Sequence, residues 1–125
     1  MKLQPDRADA IAVTAYGPQW IAVNGERHNH SLFITHEGLV QAWSCQTFDQ
    51  VTAADLENLS NINTDILLMG CGMTQRFVPQ SWLVPLSQQR IGLESMDTAA
   101  ACRTFNILAG EGRKVAAVLL LPEQL

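Results

Sequence analysis

The sequence predicts an α/β domain with a largely parallel central sheet and an added layer of antiparallel strands. Strand, helix, strand, helix and strand patterns follow one another along the second half of the chain, and this order favours parallel strands joined by helices. The first half carries short β-branched runs around an Asn24-Gly25 turn signal. A chain of 125 residues, 47% of them hydrophobic, can bury one core. We expect one domain over residues 1–125, with residues 1–10 as a flexible N-terminal segment.

The first half is typical of an antiparallel meander. Residues 11–16 are rich in β-branched side chains and predict a strand that Gly17-Pro18 ends. Residues 20–23 predict a second strand that leads into Asn24-Gly25, where both residues accept the positive φ of a type I′ turn. We expect the return strand at residues 30–34 and another strand at residues 39–43.

The second half begins with a short helix and a buried strand. Thr52 stands three residues before Asp55, which is close to a capping box, and Leu56 supplies an apolar face. Residues 65–69 form an apolar run that suits a strand buried on both faces. Pro79 is placed to open the next helix, which Pro85 must kink or shorten.

The last elements are a brief strand, a longer helix and a final strand. Residues 91–94 predict the brief strand, and Asp97 is the expected N-cap of a helix over residues 98–109. Ala101, Phe105 and Leu108 fall on one face of this helix. Glycines end it, and residues 114–121 predict a buried strand.

Charge and hydropathy exclude several classes of function. Eight Lys plus Arg against twelve Asp plus Glu give a net charge of −4, and no basic stripe is present, so we expect no nucleic acid partner. The longest apolar stretch, residues 115–121, is far shorter than the roughly 20 residues of a membrane-spanning helix, so we expect no membrane insertion. The first residues resemble neither a secretory signal nor a transit peptide. We therefore expect a cytoplasmic protein.

The cysteines and histidines offer little for catalysis or metal binding. Cys45, Cys71 and Cys102 are widely spaced and include no Cys-x-x-Cys pair, so they predict free thiols in a reducing compartment. Cys71 could be a nucleophile, but the sequence shows no base beside it. His28 and His30 share a strand face, although exposed hairpin histidines are the usual alternative to a metal site. We name no catalytic residue and expect no metal and no cofactor.

The most suggestive segment is the loop at residues 70–74. It follows a buried strand, and open α/β sheets place ligand crevices at the carboxyl ends of their strands. Gly70 and Gly72 could let backbone N–H groups approach an anion, with Arg76 as a charge-assisted partner. Alternatively, the two glycines only permit a tight turn. The Lys-Ser/Thr pair of a phosphate-binding P-loop is missing.

The helix over residues 98–109 offers a second candidate surface. Asp97 is best explained as a helix cap, and its carboxylate would repel an anion at the same terminus. Arg103 and Asn106 lie one turn apart and form a polar ridge. This ridge is either a solvated helix face or a binding surface.

Four segments of the chain resemble a known family. They are residues 96–108 (MDTAAACRTFNIL), residues 111–117 (EGRKVAA), the opening hairpin and residues 67–72. They resemble the family of unknown biochemical function that includes mitochondrial complex I assembly factor 3, from about Ile11 onward. The resemblance implies a three-layer α/β fold with a central mixed sheet, flanking helices and an added β layer. It implies no catalytic residues. Because the first residues do not resemble a transit peptide, the chain looks like a bacterial or cytosolic member of this family. The family's recurrent positions found here are Gly70, Gly72, Asp97, Thr98, Arg103, Asn106, Glu111 and Arg113.

Two functional hypotheses follow. The first is a non-enzymatic module for protein interaction or complex assembly, whose surface includes the Arg103/Asn106 ridge and the Gly70-Cys71-Gly72 loop. The alternative is a small-ligand or anion-binding protein, or an enzyme, that uses residues 70–74 with positive charge from Arg76, Arg103 or Arg113. Under either hypothesis we expect a monomer or a homodimer.

Overall fold

Two β-sheets organise the protein. The computed structural model describes residues 10–123. A small antiparallel sheet contains β1 (Val13–Gly17), β2 (Trp20–Val23) and β3 (Glu26–His28). The strands of the larger sheet are β4 (Leu32–Thr35), β5 (Val40–Ala42), β6 (Ile66–Gly70), β7 (Gly92–Met96) and β8 (Val115–Leu119). They lie in the order β5, β4, β8, β6, β7.

The larger sheet is mixed, as predicted. Strands β8, β6 and β7 run parallel to one another, while β4 runs antiparallel to β8 and β5 antiparallel to β4. Helices connect the parallel strands: α2 (Val84–Gln88) lies between β6 and β7 in the chain, and α3 (Thr98–Gly110) lies between β7 and β8. The connection through α3 carries the chain from the edge strand β7 past β6 to β8.

The helices begin and end at the signals the sequence carries. Helix α1 (Ala53–Asn58) starts with a complete capping box between Thr52 and Asp55. Helix α3 starts at Asp97, whose side chain accepts a hydrogen bond from the Ala100 N–H at 2.8 Å. After α3, the Arg113 N–H donates to the Leu108 carbonyl and Gly112 has φ +81°, which is a Schellman ending.

Successive side chains of the central strands point to opposite faces of the larger sheet, so each face forms a hydrophobic core of its own. With the elements that cover the two faces, the larger sheet makes three layers. One face of β6 and β8 presents Leu67, Met69 and Val118 to α1 and α2. The other face presents Leu68 and Ala117 to α3 and the small sheet. The buried side chains that α3 and the small sheet contribute to this second core include Phe105, Ala101, Val13, Ile21 and Val23. This confirms the three-layer α/β architecture with an added antiparallel layer.

The return strand of the first hairpin was predicted too late in the chain. The turn holds only Asn24 (φ 50°) and Gly25 (φ 87°), so Glu26 already pairs with Val23 and β3 follows at once. Residues 32–34, which were predicted to complete this hairpin, belong to β4 in the other sheet, where all four strand residues are buried. The first half therefore contributes to two sheets and does not form one meander.

The predicted helix after Pro79 is also shorter and later than expected. A 3-10 turn covers Gln80–Leu83, and α2 begins only at Val84. Pro85 does not kink this helix, because it lies in the first turn, where the missing N–H has no intrahelical partner to lose. Most of the predicted flexible segment, residues 1–9, lies outside the described residues.

Candidate functional site

Gly70 and Gly72 at the carboxyl end of β6 each have a structural requirement. A Cβ atom on Gly70 would lie 3.0 Å from Thr98 Oγ1 and 3.1 Å from Leu119 Cδ2, so the start of α3 packs directly on this glycine. Gly72 has φ +96°, a conformation that residues with a Cβ rarely adopt. The two glycines therefore allow the chain to turn closely beneath α3.

Thr98 joins this loop to the helix and to the end of β8. Its buried Oγ1 accepts a hydrogen bond from the Gly72 N–H at 2.8 Å and donates one to the Leu120 carbonyl at 2.7 Å. The Thr98 N–H donates in turn to the Gly72 carbonyl at 2.8 Å. The Gly72 N–H is thus used within the fold and is not free to bind an anion.

Asp97 occupies the N-terminus of α3. Its Oδ1 accepts the Ala100 N–H, and a negative side chain at this end offsets the positive end of the helix dipole. A bound anion would meet this carboxylate first. The Asp97 cap and the Thr98 hydrogen bonds therefore give the loop at residues 70–74 a structural role, which is to join β6 to the start of α3.

Arg76 points toward a different part of the molecule. Its Nη2 lies 3.4 Å from Asp49 Oδ1, and its guanidinium lies 4.5 Å from the centre of the Phe48 ring. Both partners belong to the 3-10 turn Phe48–Gln50. The Arg76 guanidinium is therefore directed at the Phe48–Gln50 turn, where it pairs with the exposed Asp49 carboxylate.

The thiols are kept protonated by their surroundings. Burial raises the pKa of Cys71, whose Sγ donates to the Arg76 carbonyl at 3.4 Å. Burial likewise raises the pKa of Cys45 to about 11 and that of Cys102 to about 12. Because the thiolate is the reactive form, none of the three is an activated nucleophile at neutral pH. Within residues 10–123, no cluster of three or more His, Cys, Asp or Glu side chains could hold a metal ion.

The predicted polar ridge on α3 contacts the small sheet. Asn106 Oδ1 accepts the Val13 N–H at 2.7 Å, and Asn106 Nδ2 donates to the Val13 carbonyl at 2.8 Å. Arg103 Nη1 donates to the Tyr16 hydroxyl at 3.3 Å at the surface. Arg113 lies beyond the other end of α3, whose 13 residues span about 20 Å at the helical rise of 1.5 Å per residue.

The nine candidate residues thus divide among separate places. The start of α3 brings Gly70, Cys71, Gly72, Asp97 and Thr98 together. Arg76 faces the Phe48–Gln50 turn, Arg103 and Asn106 face the small sheet, and Arg113 follows the end of α3.

Three large apolar side chains of residues 73–84 are exposed, and of these only Met73 lies in the candidate loop at residues 70–74. Met73, Phe77 and Val84 are large hydrophobic residues with exposed fractions of 67%, 76% and 51%. Phe77 follows a polar loop and belongs to no helical or strand periodicity, which is the one sequence signal that could have indicated its exposure. Beside it runs a depression of about 280 Å³, which we call the β7 groove; its lining includes Gln75, Phe77, Val78, Leu83, Leu93 and Glu94.

The chain is similar to proteins of one family. A family model described as "Protein of unknown function (DUF498/DUF598)" matches residues 13–120. An uncharacterized protein of Rhodobacter capsulatus is 34% identical over 94% of this chain and 90% of its own length. NADH dehydrogenase (ubiquinone) 1 alpha subcomplex assembly factor 3 is 26% identical in Xenopus tropicalis and 29% in Homo sapiens, over 99% and 96% of this chain. The chain spans 68% and 66% of those two proteins.

Solved structures share the fold. A crystal structure of a Bordetella parapertussis protein is 38% identical, covers 89% of this chain and 95% of its own, and has a TM-score of 0.83. The solution structure of a Bordetella pertussis protein, described as an Mth938-like domain, is 33% identical, covers 99% and 94%, and has a TM-score of 0.81. Among the helices of residues 10–123, none has the length and apolar character that crossing a bilayer requires.

Proposed function

Because the chain belongs to the family described as Protein of unknown function (DUF498/DUF598), we propose the role that its named relatives and its surface support best. It is a non-enzymatic module that binds another protein during the assembly of a complex. The Xenopus and human relatives are named as assembly factors. Since this chain spans about two thirds of their length, the proposal concerns the shared domain alone.

The exposure of three large apolar side chains is the observation that carries this proposal. Met73, Phe77 and Val84 lie between the end of β6 and the first residue of α2, which is Val84 itself, and all three are more than half exposed. Aromatic residues and methionine are enriched at protein interfaces, and burying such side chains against a partner releases their hydration water. A partner protein with a complementary apolar surface would therefore be stabilised on this face.

The alternative, a small-ligand or anion site at residues 70–74, has less support. The Gly72 N–H is bonded to Thr98, and Asp97 places a carboxylate at the nearby helix terminus. The three arginines invoked for such a site lie in three separate places. The protonated Cys71 thiol adds no nucleophile.

We further propose a cytoplasmic, bacterial setting for the protein. The cysteines of residues 10–123 are free and buried, as expected in a reducing compartment. The proposed partner is a protein and not a nucleic acid, since the net charge is −4. The domain is proposed to act as a monomer or homodimer, with no cofactor.

Site-specific photo-crosslinking in native extract tests the proposed function. A benzophenone amino acid replaces Phe77 in one variant and Ile107, an exposed apolar residue on α3, in a matched control. We expect discrete crosslinked protein products from position 77 that are absent from position 107. Crosslinks at neither position would overturn the proposal, and crosslinks at position 107 alone would move the surface to the Arg103/Asn106 ridge.

A further inference from the structure

Strand β7 is an open edge of the larger sheet. Its inner side pairs with β6 over all five residues, and no strand among residues 10–123 pairs with its outer side. The Gly92 N–H donates to Asp65 and the Met96 carbonyl accepts from Cys71, so Gly92, Glu94 and Met96 bond inward. Leu93 and Ser95 therefore direct their backbone groups outward, where a further strand could pair with them.

Gln75 marks the position of such a strand. Its Nε2 donates to the Ser95 carbonyl at 2.9 Å, so a flexible side chain supplies the hydrogen bond that the N–H of an added strand would supply. Gln75 is exposed, and its release would leave the Ser95 carbonyl free to accept from another backbone. Strands at open edges are commonly protected by Pro or by charged side chains, above all Lys; β7 contains neither Lys nor Pro, and Glu94 is its one charged residue.

The β7 groove runs along this edge on the side of α2. Phe77, Val78, Leu83 and Leu93 give it apolar walls beside the outward-facing backbone of β7. Side chains of a strand alternate between the two faces of a sheet. Every second side chain of an added strand would therefore enter the groove, and an apolar side chain would bury against Phe77.

The charge of Glu94 favours a segment of another protein over a second copy of β7 as the added strand. It is exposed at the centre of β7, with its side chain on the face opposite that of Leu93. Antiparallel pairing of two copies of β7 about a two-fold axis would bring both Glu94 carboxylates together, and like charges directly opposite are destabilising. A foreign segment with Lys or Arg at the facing position would pair with Glu94.

We propose that the β7 edge accepts an extended segment of a partner protein as a sixth strand. Apolar residues at alternate positions of that segment fill the β7 groove, and a basic residue between them faces Glu94. This inference rests on the proposed function and names how the partner is held. Main-chain hydrogen bonds to Leu93 and Ser95 supply affinity, while Phe77 and Glu94 supply specificity.

A random peptide library displayed on phage tests the inference against the full chain. We expect selected peptides to alternate apolar residues and to carry Lys or Arg between them. Binding of a selected peptide should slow hydrogen exchange at the Leu93 and Ser95 amides. Selection of no peptide, or protection confined to other strands, would overturn the inference.

Three variants sharpen this test, with circular dichroism to verify folding. Ser95→Pro removes an outward N–H without removing a bond to β6, and it should weaken binding at least tenfold. Glu94→Lys should weaken the basic peptide at least tenfold and favour the same peptide with Glu in place of its basic residue. Glu57→Lys, the same charge change on an exposed residue of α1, should leave binding unchanged. Unchanged binding in both β7 variants would overturn the inference.

Two further outcomes separate this inference from the proposed function. Crosslinks from position 77 that persist in a Ser95→Pro background would reject strand addition while keeping the interaction module. A dimer in analytical ultracentrifugation that Ser95→Pro dissociates would identify a second copy as the occupant, and would reject the foreign segment.

Discussion

Gly70 and Gly92 lie at opposite ends of two neighbouring parallel strands, and they differ in what a side chain would meet. The nearest atoms to a Cβ on Gly70 are 3.0 and 3.1 Å away and include the backbone Cα of Thr98, whereas a Cβ on Gly92 has its nearest neighbour at 4.0 Å. We expect Gly70→Ala to lower the free energy of unfolding by about 1–3 kcal/mol, because overpacking forces neighbouring atoms apart. Gly92→Ala should change it by less than about 0.5 kcal/mol.

Urea denaturation followed by tryptophan fluorescence measures both variants, since Trp43 is buried in the native core. A lower midpoint for Gly70→Ala alone would show that this glycine serves the packing of α3. Equal midpoints for the two variants would contradict the close approach of Thr98 to β6.

At the scale of single residues, local chemistry could be predicted and distant contacts could not. Asp97 is a cap in sequence and in structure, because capping depends on the next three residues. Arg76 was grouped with the loop at residues 70–74 because it is adjacent in sequence. Its partner Asp49 lies 27 residues away, and only the folded chain brings the two side chains together.

At the scale of whole elements, the amide of Asn106 joins α3 to the small sheet. The same side chain satisfies both the N–H and the carbonyl of Val13. Asn106→Ala would leave both groups without that partner, and we expect a loss of about 1–3 kcal/mol in the free energy of unfolding. Hydrogen exchange should accelerate in β1 and β2, because they lose this attachment, and should change little in β6 and β8.

Arg103→Ala is the control on the same helix. Its contact with the Tyr16 hydroxyl is exposed, so we expect less than about 0.5 kcal/mol of destabilisation and no change in exchange. An Asn106→Ala variant with unaltered exchange in β1 would contradict the attachment.

The sequence predicts best those helices and strands whose start, buried face and end are all marked by nearby residues. Helix α3 has a cap, an apolar face and a glycine ending, and all of these lie within one short segment. Strand β4 was assigned to the wrong sheet because Leu32 pairs with Leu119, far along the chain. A short apolar run carries no information about such a distant partner, so its sheet could not be read from the pattern.

At the scale of the whole molecule, its three buried thiols link stability to alkaline pH. Burial raises the pKa of Cys102 to about 12, and burial with a hydrogen bond to Asp55 raises that of Cys45 to about 11, above the 9.0 of a free thiol. Burial also raises the pKa of Cys71. Below about pH 9 these thiols are protonated in both folded and unfolded chains, so their contribution to stability is fully present there.

Between about pH 9 and pH 11 the unfolded chain loses thiol protons that the folded chain keeps, so the free energy of unfolding falls as pH rises. Each such proton contributes a slope of about 1.4 kcal/mol per pH unit. We expect Cys102→Ala to make the slope shallower by about this amount, whatever its cavity costs at neutral pH. Urea denaturation under reducing conditions at several pH values measures both slopes. Other groups that titrate at alkaline pH are present in both the original chain and Cys102→Ala, so their effects cancel when the two slopes are subtracted. Equal slopes of the free energy of unfolding against pH would contradict a buried, protonated Cys102.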